Sequence, residues 1–492
     1  MGQDIKHTEF TQADYSNFYE RIVSQLNDFE QAVHTPGFGN GATTIGAELE
    51  LYLINRQFQP SPCNMAVIDE YGSNQLDLEL NQYNLEYNSK PVNAKGTPFS
   101  QLGAEFKQAF SDLNAIADKH DSQVLAIGIL PTLSHSSLTP DVITPKKRYY
   151  ALAKGLKQLR GNAFHIDIKG DDHLEMDWDE VTFEGANTSF QLHWRVSPDE
   201  FADAFNAVQL ATPLALAVSS NSPLFLGKRL WQETRIALFM QSIDYRGLDM
   251  AKQSRPPRVH YGQGWVRRGA YELFAESVAL FPPLMPILFD EETKRRNPGL
   301  DELRLHQGSV WTWNRPIYDR RNKGHLRIEM RALPAGPSII DMQANAAYLI
   351  GLANGLKHRV KYLLPSLPFE YCRRNFYNAA KYGLNAEILW PDSKVPALNT
   401  EYAWSIIEAS LRIAEEGLED LGVDSQEIRK MLDIIGNRVI YRRTGSTWQL
   451  SQLQQLMNQP AIKPESALTR LVKYYAENQA SNKPVHSWEV FR

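Results

Sequence analysis

Cysteine is nearly missing from this chain: Cys63 and Cys372 are the two in 492 residues. So few thiols exclude a structural zinc cluster and fit a reducing compartment, so the expected location is the cytoplasm. A bridge between these two is the single disulfide the sequence allows. Apolar runs of membrane-spanning length are missing too. The most apolar stretch, Ala211 to Ser219, is too short, so no membrane association is expected. The first residues, MGQDIKHTEF, lack the basic and apolar regions of a secretory signal, and Lys6 stands where a myristoylation pattern has Ser or Thr. Positive charge is not in excess. The net charge of −5 argues against a nucleic-acid surface. Internal repeats and low-complexity blocks are absent. So is the phosphate cradle GxxxxGK(S/T): HTPGFGNG, residues 34–41, is Gly-rich but has no such lysine, and reads as a mobile loop.

What is present is the composition of an ordinary globular protein, 43% hydrophobic and 22% charged, in a chain long enough for a large core or for two or three domains. Hydrophobic periodicity predicts an amphipathic helix over 11–33 and a strand over 43–55. Residues 75–89 read as two short strands around an Asn-rich bend, 99–119 as a helix and 123–130 as a buried strand. Helices follow at 146–160, 198–219, 230–242, 268–278 and 338–362, with strands at 189–196 and 325–333. Residues 367–480 are almost wholly helical in pattern, broken near Gly383, Pro396, Gly422 and Pro460. This predicts an α+β core over 1–365 and a helical C-terminal subdomain over 366–492.

Strand side chains alternate between faces. In GAELELYL, Ala47, Leu49 and Leu51 oppose Glu48 and Glu50. In SFQLHWRV, Phe190, Leu192, Trp194 and Val196 oppose Gln191, His193 and Arg195. In RIEMRAL, Ile328, Met330 and Ala332 oppose Arg327, Glu329 and Arg331. A half-buried antiparallel sheet gives such alternation by default, with the polar face solvated. The residue types point further. Closely spaced carboxylates repel one another unless a cation lies between them. Magnesium often bridges protein carboxylates to phosphate oxygens, and arginines beside it suit bidentate phosphate binding. Glu79 and Glu86 are seven apart, on opposite faces of a straight strand. They face inward together only if Asn81-Gln82-Tyr83-Asn84 supplies a bend; spacing alone leaves two surface acids.

These motifs resemble the glutamate–cysteine ligase family, most closely its plant-type and carboxylate–amine-ligase branch, within the superfamily sharing the glutamine-synthetase catalytic fold. Ile45-Gly46-Ala47-Glu48-Leu49-Glu50 looks like the family's IGxExE strand, and Glu79-Leu80 through Leu85-Glu86 like its EL…LE element. Pro145 to Tyr149 looks like its PKxRY segment, Asn221-Ser222-Pro223 like its NSP turn, and Arg327 to Pro337 like YLEMRGADGGP. The similarity runs from about residue 43 to 364, through short motifs in the family's order.

The resemblance implies an antiparallel sheet curved into a funnel, packed with helices, whose polar face lines an ATP and metal site. It makes Glu48, Glu50, Glu79, Glu86 and Glu329 the metal-holding acids, for two or three magnesium ions or manganese. Arg331 would face the transferred phosphate, with Glu329 and Glu48 the other catalytic groups. Arg148, Tyr149, Arg235 and Arg315 would line the substrate pocket. The chain departs from the family at Gln191-Leu192-His193, where His-x-Asn or Gln-x-Asn is common, so the metal or phosphate contact falls to Gln191 or to His193. The implied reaction activates the γ-carboxyl of glutamate with ATP and passes it to cysteine, the first step of glutathione biosynthesis. Alternatives are a ligase using a different amine, a non-catalytic nucleotide-binding scaffold, and a guanidino kinase, for which no ordered motif set appears.

Overall fold

The computed structural model describes residues 9–247, 254–289, 299–391 and 397–491. The main sheet has eight strands: β1 (Thr44–Asn55), β2 (Leu76–Leu78), β3 (Asn84–Asn88), β4 (Val92–Asn93), β5 (Ser122–Leu125), β6 (Phe190–Val196), β7 (Asn314–Asp319) and β8 (His325–Met330). Their order is β7-β8-β6-β1-β3-β2, with β4 and β5 pairing to the two ends of β1. Every pairing is antiparallel, and the sheet curls into a half-barrel. The protein is therefore α+β with the expected curved antiparallel sheet.

The helices used below are α1 (Gln12–Val33), α2 (Pro98–Ala117), α3 (Lys147–Arg160), α4 (Phe201–Ser219), α5 (Thr234–Ser242), α6 (Ile339–Lys357), α7 (Phe369–Tyr382), α8 (Ala403–Asp420), α9 (Ser425–Tyr441), α10 (Gly445–Met457) and α11 (Pro464–Ser481). The apolar strand residues Leu49, Leu51, Phe190, Leu192, Trp194, Ile328 and Met330 are buried in one core with α4, α6, α8 and α9. A second core joins Ile127, Ile129, Ile166, Phe183 and Leu224 to Trp448, Leu471 and Tyr475 of α10 and α11. Burying the greasy face leaves the acidic one towards the hollow of the half-barrel. Among the described residues one helical stretch, Pro198–Ser219, is apolar and long enough to cross a membrane, which the sequence reading did not expect, but 89% of its apolar window is buried inside the protein.

Several elements differ from expectation, each for a physical reason. The strand predicted over 123–130 stops at Leu125, because the amide and carbonyl of Ala126 are taken by side chains of α11 instead of by a neighbouring strand. The helical pattern over 367–480 contains a hairpin, Glu387–Pro391 with Leu398–Tyr402; the break expected at Pro396 lies outside the described residues. The Gly-rich segment is tied down rather than free: Arg195 donates to the carbonyls of Asn40 (2.6 Å) and Gly39 (3.3 Å), and a Cβ at Gly41 would lie 2.7 Å from that guanidinium. Both cysteines are free. Cys63 neighbours Ser61 and Ser122, and Cys372 donates to the carbonyl of Gln209.

The C-terminal helices also complete an element formed far earlier in sequence. Helix α2 begins after Thr97, whose side chain makes no cap. Its first amides, Phe99 and Ser100, instead donate to the buried carboxylate of Glu427 in α9, at 3.4 and 2.7 Å. A carboxylate there satisfies orphan donors and meets the positive end of the helix dipole. We predict that Glu427→Ala lowers unfolding free energy by about 1–2 kcal/mol, the usual worth of an N-terminal cap. Urea denaturation checks this, and Glu427→Gln should lose less.

Candidate active site

The pairing register lays the polar residues out in rows. Arg315 is opposite Glu329, Glu329 opposite His193, and His193 opposite Gly46. Gln191 is opposite Glu48, which is opposite Asn88. Glu50 is opposite Glu86, which is opposite Asp77. Directly opposed residues share a face, so one surface of the curled sheet carries all of these groups.

Two clusters result. In the first, Nε2 of His193 lies 2.8 Å from Glu48 and 3.7 Å from Glu329. Glu329 is only 2% exposed, and both its oxygens accept from Arg315, at 2.6 and 3.0 Å; Arg331 stands 3.3 Å away. In the second, Glu50, Glu79 and Glu86 converge. Gln191 joins the two: its Nε2 donates to Glu50 at 2.9 Å while its Oε1 accepts from Arg331 at 2.5 Å. Glu50 also accepts from the amide of Ser189, at 2.6 Å. Each cluster, Glu48 with His193 and Glu329, and Glu50 with Glu79 and Glu86, offers ligand atoms within 4.8 Å of one another, as a metal ion requires.

Glu79 reaches its cluster through the bend between β2 and β3. Asn84 N donates to Asn81 O, Gln82 N to Val142 O and Thr144 N to Leu80 O, and these bonds take the chain out of strand geometry. The odd spacing to Glu86 is thereby accommodated. Beside it, at the start of α3, Arg148 donates to the carbonyl of Leu78 (3.1 Å) and to the hydroxyl of Tyr149 (2.6 Å), which itself bonds Leu78 O. Arg235, on α5, contacts the chain just past the end of β8. It is 2% exposed, donates to the carbonyl of Ala332 at 2.8 Å and pairs with the fully buried Glu233 at 3.0 Å. Sequence reasoning missed Glu184, on the 3-10 turn Val181–Ala186. Its carboxylate feels the charges of Glu50 and Arg331. The only local signal is Gly185: a Cβ there would lie 2.5 Å from the Asn81 side chain, so this turn fits closely against the bend.

The clusters differ electrostatically. Burial raises the pKa of Glu329, but Arg315, Arg331 and His193 outweigh it and hold the carboxyl well below the usual range. Burial likewise opposes ionisation of Glu48, and His193 overcomes it. The second cluster has too little positive charge. Burial, then Glu50 and Glu184, pushes Glu79 up to about 8. Burial, then Glu50, takes Glu184 to about 8. Burial, with Glu48, Glu79 and Glu50, raises Glu86 well above its ordinary value. A donor set of hard oxygens with an unbalanced negative charge fits divalent cations. His193 Nδ1 is buried without a hydrogen-bond partner, which leaves its tautomer free to present Nε2 as a ligand.

A stability test follows. Unfolded carboxyls titrate near about 4.3. In the metal-free protein the raised groups favour folding below that value, and this contribution is lost as pH rises through about 8 for Glu79 and Glu184. Glu48 and Glu329 are lowered, so their contribution is lost only at acid pH. A divalent cation binds the ionised form and reverses the alkaline loss. Magnesium is expected to raise the melting temperature more at about pH 8.5 than at about pH 6; an equal rise at both, or none, would contradict the arrangement.

The chain is similar in fold to the crystal structure of a glutamate–cysteine ligase from Francisella tularensis in complex with AMP: TM-score 0.55, 12% identity, 92% of this chain and 91% of that one. It is similar to a bifunctional glutathione synthetase from Pasteurella multocida: TM-score 0.52, 9% identity, 94% of this chain and 53% of that one. No curated protein sequence matches it. A family model described as glutamate-cysteine ligase family 2 matches residues 44–421, and the chain belongs to that family of carboxylate–amine ligases.

Proposed function

We propose that this protein uses ATP and magnesium to activate the γ-carboxyl of glutamate and join it to cysteine, forming γ-glutamylcysteine. The observation carrying this is the surplus of carboxylates on the sheet floor facing the guanidinium of Arg331. The AMP bound by the Francisella tularensis ligase, of the same fold, supports the nucleotide.

A carboxylate is a poor acyl donor because its leaving group would be oxide. Phosphoryl transfer from ATP gives an acyl phosphate; the amine nitrogen attacks its carbonyl carbon, and inorganic phosphate departs. Glu48, His193 and Glu329 would hold one magnesium ion, and Glu50, Glu79 and Glu86 another. Bound there, the ions would supply the positive charge that neutralises phosphate oxygens. Arg331 stabilises negative charge on the transferred phosphoryl group. Gln191 and Glu329 contact its guanidinium, and Arg315 keeps Glu329 ionised. Arg148 and Tyr149, anchored on Leu78, line the end of the site beside Glu79 and bound the substrate pocket there. Arg235 contributes positive charge to the field at Glu50. No protein nucleophile is required, and Cys372 is buried with its thiol pKa raised by burial.

Release of ADP from ATP and magnesium with glutamate and a panel of amines tests the proposal. Release dependent on cysteine supports it. Release with another amine alone selects a different acceptor, and none with any amine rejects the ligase reading. Glu329→Gln should abolish turnover with the fold retained by circular dichroism. Arg331→Ala should lower kcat by about 10³-fold, as for comparable phosphoryl-facing arginines.

A further inference from the structure

The NSP turn, Asn221-Ser222-Pro223, plays no part in the chemistry above, yet Asn221 and Ser222 are fully buried where several distant chain segments meet. Nδ2 of Asn221 donates to the carbonyl of Ala335 and to the hydroxyl of Tyr475, both at 2.7 Å. Its Oδ1 and its carbonyl accept from Gln449, at 2.9 and 3.1 Å. The Tyr475 hydroxyl donates in turn to the carbonyl of Ala126, at 2.9 Å. Gln479 closes the knot: its Oε1 accepts from Ala126 N at 3.0 Å, and its Nε2 donates to Ala126 O at 2.6 Å and to Pro337 O. Gly336 lies at the centre with φ of 81°. A Cβ there would stand 2.4 Å from Ala126 O, 2.5 Å from the Tyr475 hydroxyl and 2.9 Å from Asn221 Nδ2, so the loop has no slack.

That loop begins one residue after Arg331. Its first carbonyl, Ala332, accepts from Arg235, and Arg235 pairs with Glu233. Glu233 accepts from the amide of Asn221 (2.8 Å) and from the hydroxyl of Ser222. One buried network therefore runs from α10 and α11, through the NSP turn, to the backbone that follows Arg331. We propose that Tyr475 and Gln479 of α11, with Gln449 of α10, are positioning residues for Arg331, so that the C-terminal helices set the aim of the group facing the transferred phosphate. The proposal rests on the reading of Arg331 given above. A guanidinium at a strand end is aimed by its backbone, and a shift of about 1 Å at a reacting centre costs about 10²-fold in rate.

Tyr475→Phe removes one hydroxyl from this network and no apolar volume. Tyr474→Phe, on the same helix but stacked against Phe491, is the control. Hydrogen exchange in the full chain reads the amides of Arg331 and Ala335, which bond Trp313 O and Thr188 O. Tyr475→Phe should speed their exchange about tenfold, the worth of one or two buried hydrogen bonds, and leave Leu51 and Leu85 unchanged. In the same variant kcat should fall at least about tenfold with KM for ATP and glutamate nearly constant, while Tyr474→Phe matches wild type. Unchanged exchange at Arg331 and Ala335, a uniform rise across the sheet, or a full kcat would overturn the proposal. If Tyr475→Phe does not fold, Gln479→Met is read by the same criteria. If the wild-type chain shows no turnover with any amine, the ligase reading fails on its own, and exchange alone decides the positioning claim.

Discussion

Negative charge is concentrated on one face of a curled sheet beyond what the nearby arginines balance. Arg315, Arg331 and His193 compensate Glu48 and Glu329, whereas Glu50, Glu79, Glu86 and Glu184 share mainly the fields of Arg331, Arg148 and Arg235. Carboxylates so placed either take up protons or take up cations. The sheet accepts this because its other face is fully buried against α4 and α6. Polar groups with no room on the apolar side must face the hollow. The imbalance that disfavours the ionised, metal-free site at alkaline pH is what the proposed divalent ions would neutralise.

Gln191 makes the clusters interdependent. Its amide bonds Glu50 on one side and Arg331 on the other. Displacing either neighbour leaves a buried amide with an unmatched end. At the strand that departs from the family's usual residues, Gln191 and His193 have different neighbours. His193 stands within ligand range of Glu48 and Glu329, and Gln191 serves as the hydrogen-bonded bridge between Glu50 and Arg331.

Most of this face was legible in the sequence because strand alternation has a period of two. Glu48 with Glu50, Gln191 with His193, and Glu329 with Arg331 each follow from that parity alone. Glu79 did not, since its orientation depends on the bend at Leu80–Tyr83, where Gln82 bonds Val142 and Leu80 bonds Thr144, far along the chain. Glu184 sits on a 3-10 turn with no periodicity to mark it. Arg235, expected in the sequence as a substrate-pocket arginine, donates to the carbonyl of Ala332 and pairs with Glu233, contacts that no local pattern marks. The early end of β5 was hidden for the same kind of reason: its missing backbone partners are side chains of α11, more than three hundred residues later. Local pattern records which face a residue takes. It does not record tertiary hydrogen bonds that override the pattern.

In the proposed reaction the two carboxylate clusters hold divalent cations against a nucleotide's phosphates. A crystal soaked with manganese and a non-hydrolysable ATP analogue, read by anomalous scattering, tests it most directly. One ion is expected on Glu48, His193 and Glu329, a second on Glu50, Glu79 and Glu86, and phosphate oxygens on both beside Arg331. Ions bound elsewhere, or a nucleotide seated away from these side chains, would contradict it.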